Sequence, residues 1–564
     1  MPVGSDAHRW RTFPSERTLI VAARTLTSTI RVLEVLPSLL RDDPRVTVVF
    51  AYDPTSAFSD GSLELLQDSG CRVMPWAQLS DVDPDLILSA SENIEVPDGV
   101  CPVLVLPHGI GFQKYVPDSR SPHSRMSGVA PDALLETGRA WLALSHPEQE
   151  RQLLAAHPRT AGRTLLVGDP CLDELLVSTE RRDDYRRALG LTADHRLVMV
   201  SSTWGPTSLI GRAAELPAQL LAALPWDTYR VGLILHPNVW SAHGAWHIRT
   251  LLAAALDAGL LLMPPVHDWR TALVAADAVV GDHGSVTLYA AALGKPVALA
   301  AYGEDAVPGT AGAELADLAP RFETKGDPLT QVEELLRGRA QASERYAPVA
   351  ARAAAGHGTA FARLRAAVYQ LLRLEEPPTA PPTARILPAP GNPAGPVTSW
   401  VVRTRVDVDA EGRTHVTVRR FPAAVTGLEQ QPEGASHFTH LAVRPDEERD
   451  RRLCESASVV LGSSSLPAPT PDAAAHWAWD ALARWPGSLL AAAPLPSGEC
   501  LVAVRDGRSV VASATDGRID PGLAASAVYT FLRAGHASAD GPVTLHVGAA
   551  HLTLLLRAAT PAPP

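Results

Sequence analysis

A few short stretches carry residue types able to act on phosphate and hydroxyl groups. They are His108-Gly109, Ser201-Ser202-Thr203-Trp204-Gly205, His236-Pro237-Asn238 and Gly281-Asp282-His283-Gly284-Ser285. The last follows a short apolar run, Ala278 to Val280, and opens a helical stretch, Val286 to Leu293. Gly294-Lys295-Pro296 stops that stretch before a second apolar run, Val297 to Ala301. Strand, small-residue turn, helix and strand make the unit of a parallel α/β sheet. The turn offers free backbone N–H groups at Ser285, Val286 and Thr287, the Ser285 and Thr287 hydroxyls, and the positive end of a helix dipole. Those groups suit phosphate oxygens; an ordinary βαβ turn with a Ser beside the N-cap has the same pattern.

The other stretches also close strands. Pro107-His108-Gly109-Ile110-Gly111-Phe112 follows Pro102 to Leu106, and its glycines let the loop turn tightly. A histidine there, neutral at pH 7, can take a proton from an acceptor hydroxyl as that oxygen attacks; a loop histidine satisfied by one hydrogen bond is the plain alternative. His236, half protonated or hydrogen-bonded, suits a leaving phosphate, and Ser202 and Thr203 add hydroxyl and backbone donors. Any one of these is weak, and their shared position at carboxyl ends of strands is the stronger signal.

The elements that must position them alternate. Arg17 to Ala23 reads as a strand, followed by an amphipathic helix from Thr25 that Pro37 ends or kinks. Strands Arg45 to Ala51, Arg72 to Pro75, Leu86 to Ser89, Pro102 to Leu106 and Ala140 to Leu144 follow, with Ser145 expected to cap a helix. This predicts a doubly wound Rossmann-like domain over 15–178 on the acceptor side. A second one, 179–374, carries strands Arg196 to Ser201, Tyr229 to Leu235, Leu260 to Met263, Ala278 to Val280 and Val297 to Ala301. It ends in a helical return, Gln331 to Leu374, with a break expected near Pro348 and packing back across the first domain. Two such domains face one another across a cleft. Eight prolines within 377–396 make 375–397 an extended spacer. An α+β accessory domain, 398–558, shows hairpins at 401–420 and 501–513 and helices at 471–485 and 521–533, with no chemical motif.

With 564 residues the chain needs several cores. A net charge of −11 argues against nucleic acid as a partner. Five scattered cysteines without Cys-x-x-Cys fit a reducing compartment and no zinc site. Met1 to Pro14 has no apolar signal core, and no apolar window spans a membrane, so a cytoplasmic location is expected, with peripheral contact at the membrane's inner face left open. No cofactor and no metal site is called for: His243 and His247 at i, i+4 read as a solvated helix face, without a carboxylate at ligand spacing. His267-Asp268 reads as the end of a strand near a nucleotide base. There is no Walker loop, no dinucleotide glycine fingerprint and no nucleophile elbow.

Taken together, His108-Gly109, Gly168-Asp-Pro-Cys-Leu-Asp173, His236-Pro237 and Asp282-His-Gly-Ser285 resemble the motifs of the CDP-glycerol glycerophosphotransferases, the teichoic-acid glycerophosphate polymerases of GT-B fold. Gly284 stands where that family has the first Ser of Asp-x-Ser-Ser. The resemblance covers about 15–370. It implies a transferase with a nucleotide-activated donor on the second domain, held by Ser285, Val286, Thr287, Ser202, Thr203 and His236 beside Gly109, His283 and Gly284. His108 is then the base on a hydroxyl acceptor, and Asp282 either orients His108 across the cleft or binds the transferred group. Fixed dipoles rather than magnesium stabilise the departing nucleotide. Leu293-Gly-Lys-Pro296 is similar to the UDP-N-acetylglucosamine 2-epimerases, but those have an acid just after the first-domain His, absent from His108-Gly-Ile-Gly-Phe112. A nucleotide- or glycan-binding shell without catalysis, whose last domain meets an unknown protein partner, is the alternative from another class.

Overall fold

The computed structural model describes residues 9, 12, 15–111, 114–117, 124–427, 436–463, 470–515, 517–536 and 540–559; Phe112 and most of 1–14 lie outside the described residues. The first domain is a seven-stranded parallel sheet. Its strands are β1 (Arg17–Ala23), β2 (Val46–Tyr52), β3 (Val73–Pro75), β4 (Leu86–Ser89) and β5 (Val103–Val105). After a small antiparallel ribbon, β6 (Tyr115–Pro117) and β7 (Ser124–Met126), come β8 (Ala140–Leu144) and β9 (Thr164–Leu166), in spatial order β3-β2-β1-β4-β5-β8-β9. Central β1 is buried from Leu19 to Ala23, the unbroken apolar run expected where helices cover both faces. The helix Leu26–Leu39 starts on a reciprocal cap, Thr25 with Ser28, and runs through Pro37.

The second sheet is also parallel: β10 (Arg196–Ser202), β11 (Tyr229–Leu235), β12 (Leu261–Leu262), β13 (Ala278–Gly281) and β14 (Val297–Leu299), in order β12-β11-β10-β13-β14. The strand order reverses beside β1 in the first sheet and beside β10 in the second. Loops leaving the carboxyl ends there collect at one crevice.

The two halves are tied by the Gly168–Asp173 stretch. Gly168 has φ +84°, and a Cβ there would lie 3.0 Å from the Ala355 carbonyl, so only glycine fits. Asp169 caps the helix Pro170–Ser178 through the Leu172 N–H (2.8 Å). Asp173 accepts the Gly358 and Ala360 N–H groups at the start of the helix Ala360–Leu372. That last helix packs on the first sheet, its Tyr369 hydroxyl on Asp43 at 2.7 Å.

Some local expectations fail. The helical break falls at 354–359, where Gly356 and Gly358 take positive φ, while Pro348 sits inside the helix Arg339–Ala353. Ser145 caps nothing: its N–H donates to Gln149 Oε1, and the helix starts at Glu148 after Pro147. The proline-rich 375–397 has no regular structure, yet it is laid on the body rather than free. Leu387 is buried, its N–H on Ser178 Oγ and its carbonyl receiving Tyr185 Oη.

The α+β region closes on itself. Strands β15 (Ser399–Val408), β16 (Thr414–Pro422), β17 (His437–Val443), β18 (Val459–Leu461), β19 (Leu490–Pro494), β20 (Cys500–Val504), β21 (Ser509–Ala514), β22 (Gly541–Val547) and β23 (Ala550–Ala559) form a barrel. Both expected hairpins, β15–β16 and β20–β21, are present. The helix Pro521–Arg533, buried from Pro521 to Phe531, supplies much of the same core as the inward strand residues. The barrel docks on the second domain through Arg420, which its own region's Asp520 holds (2.8 Å) as it reaches Asp227 (3.1 Å), and through Trp226 N–H on the Arg420 carbonyl (2.8 Å). Trp226 and Asp227 precede β11, at the end of the sheet away from the crevice. Among the described residues, no helix is long and apolar enough to cross a membrane.

Candidate active site

A cavity of about 580 Å³ lies between the two α/β domains. Of the expected residues, His108, Gly109, Ser202, Thr203, His236, His283, Gly284, Ser285 and Val286 line it; Asp282 and Thr287 do not. His108 comes from the β5 loop and faces His236 of the second domain edge-on, ring centroids 6.5 Å apart. Beside them the domains touch: a Cβ on Gly109 would lie 2.3 Å from Ser285 Oγ.

His236 precedes the helix Pro237–Leu251 and caps it, its Nδ1 accepting the Asn238 N–H at 3.1 Å. That contact leaves Nε2 as the ring's protonated nitrogen. Burial, with His108 and Lys114 nearby, holds its pKa well below the ordinary value, so it is neutral at pH 7 rather than half protonated. It offers one N–H donor and no charge.

The Gly281–Thr287 corner is more internal than its sequence implies. Asp282 is buried, and its carboxylate accepts the N–H groups of Leu209 (2.8 Å), Thr203 (2.9 Å) and Gly284 (3.0 Å), with Ser202 Oγ at 3.3 Å. It therefore neither reaches His108 nor binds a transferred group; it fixes the loops around it. The same bonds engage the Thr203 N–H, and Ser202 Oγ also donates to the Thr203 carbonyl and accepts from the Ile210 N–H (both 3.0 Å). Ser202 and Thr203 thus line the cavity with those donors already committed. Thr287 is turned into the core beneath Gly281, where a Cβ would stand 2.2 Å from its Oγ1. His283 accepts the Gly303 N–H (3.2 Å) on Nδ1, and its Nε2 is 3.1 Å from Asp305 Oδ1. Open to the cavity are Gly284, Ser285 and Val286, the first turn of the helix Ser285–Ala292.

Sequence reasoning missed several groups. Lys114, just before β6, crosses to the second domain, with Nζ 2.7 Å from the Trp204 carbonyl, 3.0 Å from Asp305 and 4.5 Å from the Trp204 ring centre. It supplies the cation that the turn's own neighbourhood lacks; no motif marks it. Phe58 meets Trp204 edge-on, ring centroids 5.1 Å apart. Glu92 stands on the loop after β4, where the strand-end rule alone could have flagged it. Burial would raise its carboxyl, but Arg125 at 3.0 Å and neighbouring His108 pull it below the usual range. Glu92, which lines the same cavity as His108, is the carboxylate whose charge His108 influences.

The cleft floor is an ion network. Arg31 pairs with Asp169 (3.3 Å), Arg270 with Glu174 (2.6 Å) and Glu34 (3.4 Å), and Tyr289 Oη donates to Asp169 (3.0 Å). Trp269 and Tyr289 stand 6.0 Å apart above it. Among the described residues, no group of three His, Cys, Asp or Glu is placed to hold a metal ion.

No protein-family profile and no curated protein matches the chain. Solved structures similar to it include the wall teichoic acid polymerase TagF, 14% identical, covering 64% of this chain and 90% of that one with a TM-score of 0.45. Others are S. aureus MnaA with UDP (14% identical, 64% and 99% covered, TM-score 0.41) and the UDP-GlcNAc 2-epimerase of Neisseria meningitidis bound to UDP-GlcNAc (13%, 63% and 99%, TM-score 0.37). At that level the likenesses say nothing about reaction or substrate.

Proposed function

We propose that the chain is a transferase that moves a glycerol-phosphate or glycosyl group from a nucleotide-activated donor to an acceptor hydroxyl, in the building of a cell-envelope polymer or glycan. One observation carries this reading: an open imidazole, His108, faces a helix N-terminus, Ser285–Val286, and a neutral histidine donor, His236, across one cavity. In the proposal the donor's phosphates lie against the Gly284–Val286 turn, with the His236 Nε2–H and Lys114 Nζ added. Such donors, fixed before the reaction, stabilise charge as it develops on the leaving nucleotide. His108 takes the proton of the acceptor hydroxyl as its oxygen attacks, and Glu92 orients and supports the imidazolium that forms. Asp282 acts at one remove, holding the turn in shape.

A second reading has support of its own. The cavity's cations are already matched within the protein, Lys114 with Asp305, Arg125 with Glu92 and Arg31 with Asp169. A shell that binds a nucleotide or glycan without turnover fits that balance. Release of CMP from CDP-glycerol and of UDP from UDP-sugars separates the two. The transferase releases nucleotide, and His108→Ala lowers the rate about 10²–10⁴-fold while leaving donor binding in place. Binding in both proteins with turnover in neither supports the shell, and no binding of any donor overturns both.

A further inference from the structure

Among the described residues, the chain passes between the two α/β domains three times. The first passage is the Gly168–Asp173 stretch, which leads into the helix Pro170–Ser178 of the second-domain core. The second is 354–359, which leads back to the helix Ala360–Leu372 on the first sheet. These two lie side by side: Gly168 sits against Ala355 and Ala360, and Asp173 accepts the Gly358 and Ala360 N–H groups. Together they make one point of attachment.

The third passage is the proline-rich 375–397. It begins on the first domain, where Arg365 donates to Glu376 (2.8 Å) and to the Thr379 and Ala380 carbonyls (both 3.3 Å), and where Ala384 packs on the core of the first sheet. It continues on the second domain. There Leu387 enters the core with its N–H on Ser178 Oγ (2.9 Å), and the Gly391 N–H donates to Asp268 (3.2 Å). From Ala384 to Leu387 a fully extended chain spans at most about 11 Å. Prolines on both sides stiffen it, so the passage has little slack. Ser178 ends the helix whose start carries the first two passages, about 12 Å away along the axis at 1.5 Å per residue.

Attachments at the two ends of one helix act as two pins. A single pin leaves two bodies free to swing and to twist, whereas two pins leave only rotation about the line joining them. The restriction suits a cleft whose walls meet in register. Thr27 Oγ1 donates to Asn238 Oδ1 (2.9 Å), Ser241 Oγ donates to the Asp60 carbonyl (3.0 Å), and His108 faces His236. We propose that the 375–397 segment is the second pin of the inter-domain hinge. The domains then open about one axis, along the helix Pro170–Ser178, and their facing residues return to register at each closure. The inference holds whatever the cleft binds.

The test is the distance distribution between spin labels that flank the third passage, on Ala366→Cys of the first domain and Glu180→Cys of the second. Both positions are exposed, and Cys71→Ser removes the native cysteine that is not buried. Double electron–electron resonance on the full chain reads the distribution. An insert of about eight glycine and serine residues between Arg385 and Ile386, both exposed, keeps every contact named above and adds roughly 16 Å of reach. The expected result is a narrow distribution without the insert and one broader by several ångströms with it. The same insert between Gly395 and Pro396, beyond the second-domain contacts, is expected to leave the distribution narrow. A broad distribution without any insert overturns the proposal, and so does a width that the first insert leaves unchanged. Equal broadening by both inserts also overturns it, and assigns the constraint to the docked barrel instead.

Discussion

The two walls of the cleft are built differently. The second-domain wall is a fixed surface: Asp282, Ser202 and Thr203 are bonded to one another or to the backbone, Thr287 is buried, and His236 is held neutral by burial and fixed by the cap it makes on its own helix. What it presents is backbone N–H and one ring N–H. The first-domain wall is made of side chains: His108, Glu92, Arg125 and Lys114, three of them paired and His108 open to the cavity. The difference teaches a division of labour. Under the proposed function, groups that need only point at charge are bonded in place, and the group that must gain and lose a proton, His108, stands on the facing loop.

Substitutions that treat the walls as equivalent should expose this. The largest effect is expected from His108→Ala, a rate loss of about 10²–10⁴-fold in nucleotide release with the melting temperature nearly unchanged. Asp282→Ala should do the reverse, leaving three buried N–H groups without an acceptor and lowering unfolding stability by about 3–5 kcal/mol in denaturant titrations. An Asp282→Ala protein of wild-type stability but no turnover would reverse the roles given to the walls. Gly109→Ala should cost roughly 1–3 kcal/mol by forcing Ser285 and the facing loop apart, seen as weaker nucleotide binding.

A pH experiment sharpens the contrast further. His236 has a folded pKa depressed by burial, so the unfolded chain binds its proton first. Its contribution is intact above pH 6.5 and is lost as pH falls below that, at up to about 1.4 kcal/mol per pH unit. His195 and His440, which burial pushes down to about 4 and about 3, act in the same direction. His236→Gln should flatten the acid slope by its own share only, measured by chemical unfolding from pH 7 to 5. The smallest effect belongs to His243→Ala and His247→Ala on the exposed face of the helix Pro237–Leu251. Each should stay within about 0.5 kcal/mol and leave nucleotide binding unchanged.

What the sequence could and could not reveal follows from the range of the forces involved. β1, β4, β8 and β11 were readable to the residue because unbroken apolar runs end at turn residues. Both barrel hairpins announced themselves through local turns, but closure did not. It depends on β16 pairing in parallel with β22 and on β17 pairing with β18, contacts with no local signature. At the site, strand ends located His108, His236 and the Gly284–Val286 turn. Side-chain direction was not legible: Asp282 and Thr287 have the right spacing and face inward, because nearby loops bring N–H groups to the one and Gly281 makes room for the other. Lys114 escaped notice because its role arises only from a loop of one domain reaching the other.

The proposed transferase needs phosphates at the Ser285–Val286 turn. Calorimetric titration of the preferred nucleoside diphosphate into the wild type and into Val286→Asp tests this directly. An acidic residue in the first helical turn suits the helix dipole, so the variant should fold. The expected result is saturable binding by the wild type and its loss in Val286→Asp, with binding retained in His108→Ala; equal affinity in the wild type and Val286→Asp would contradict the account.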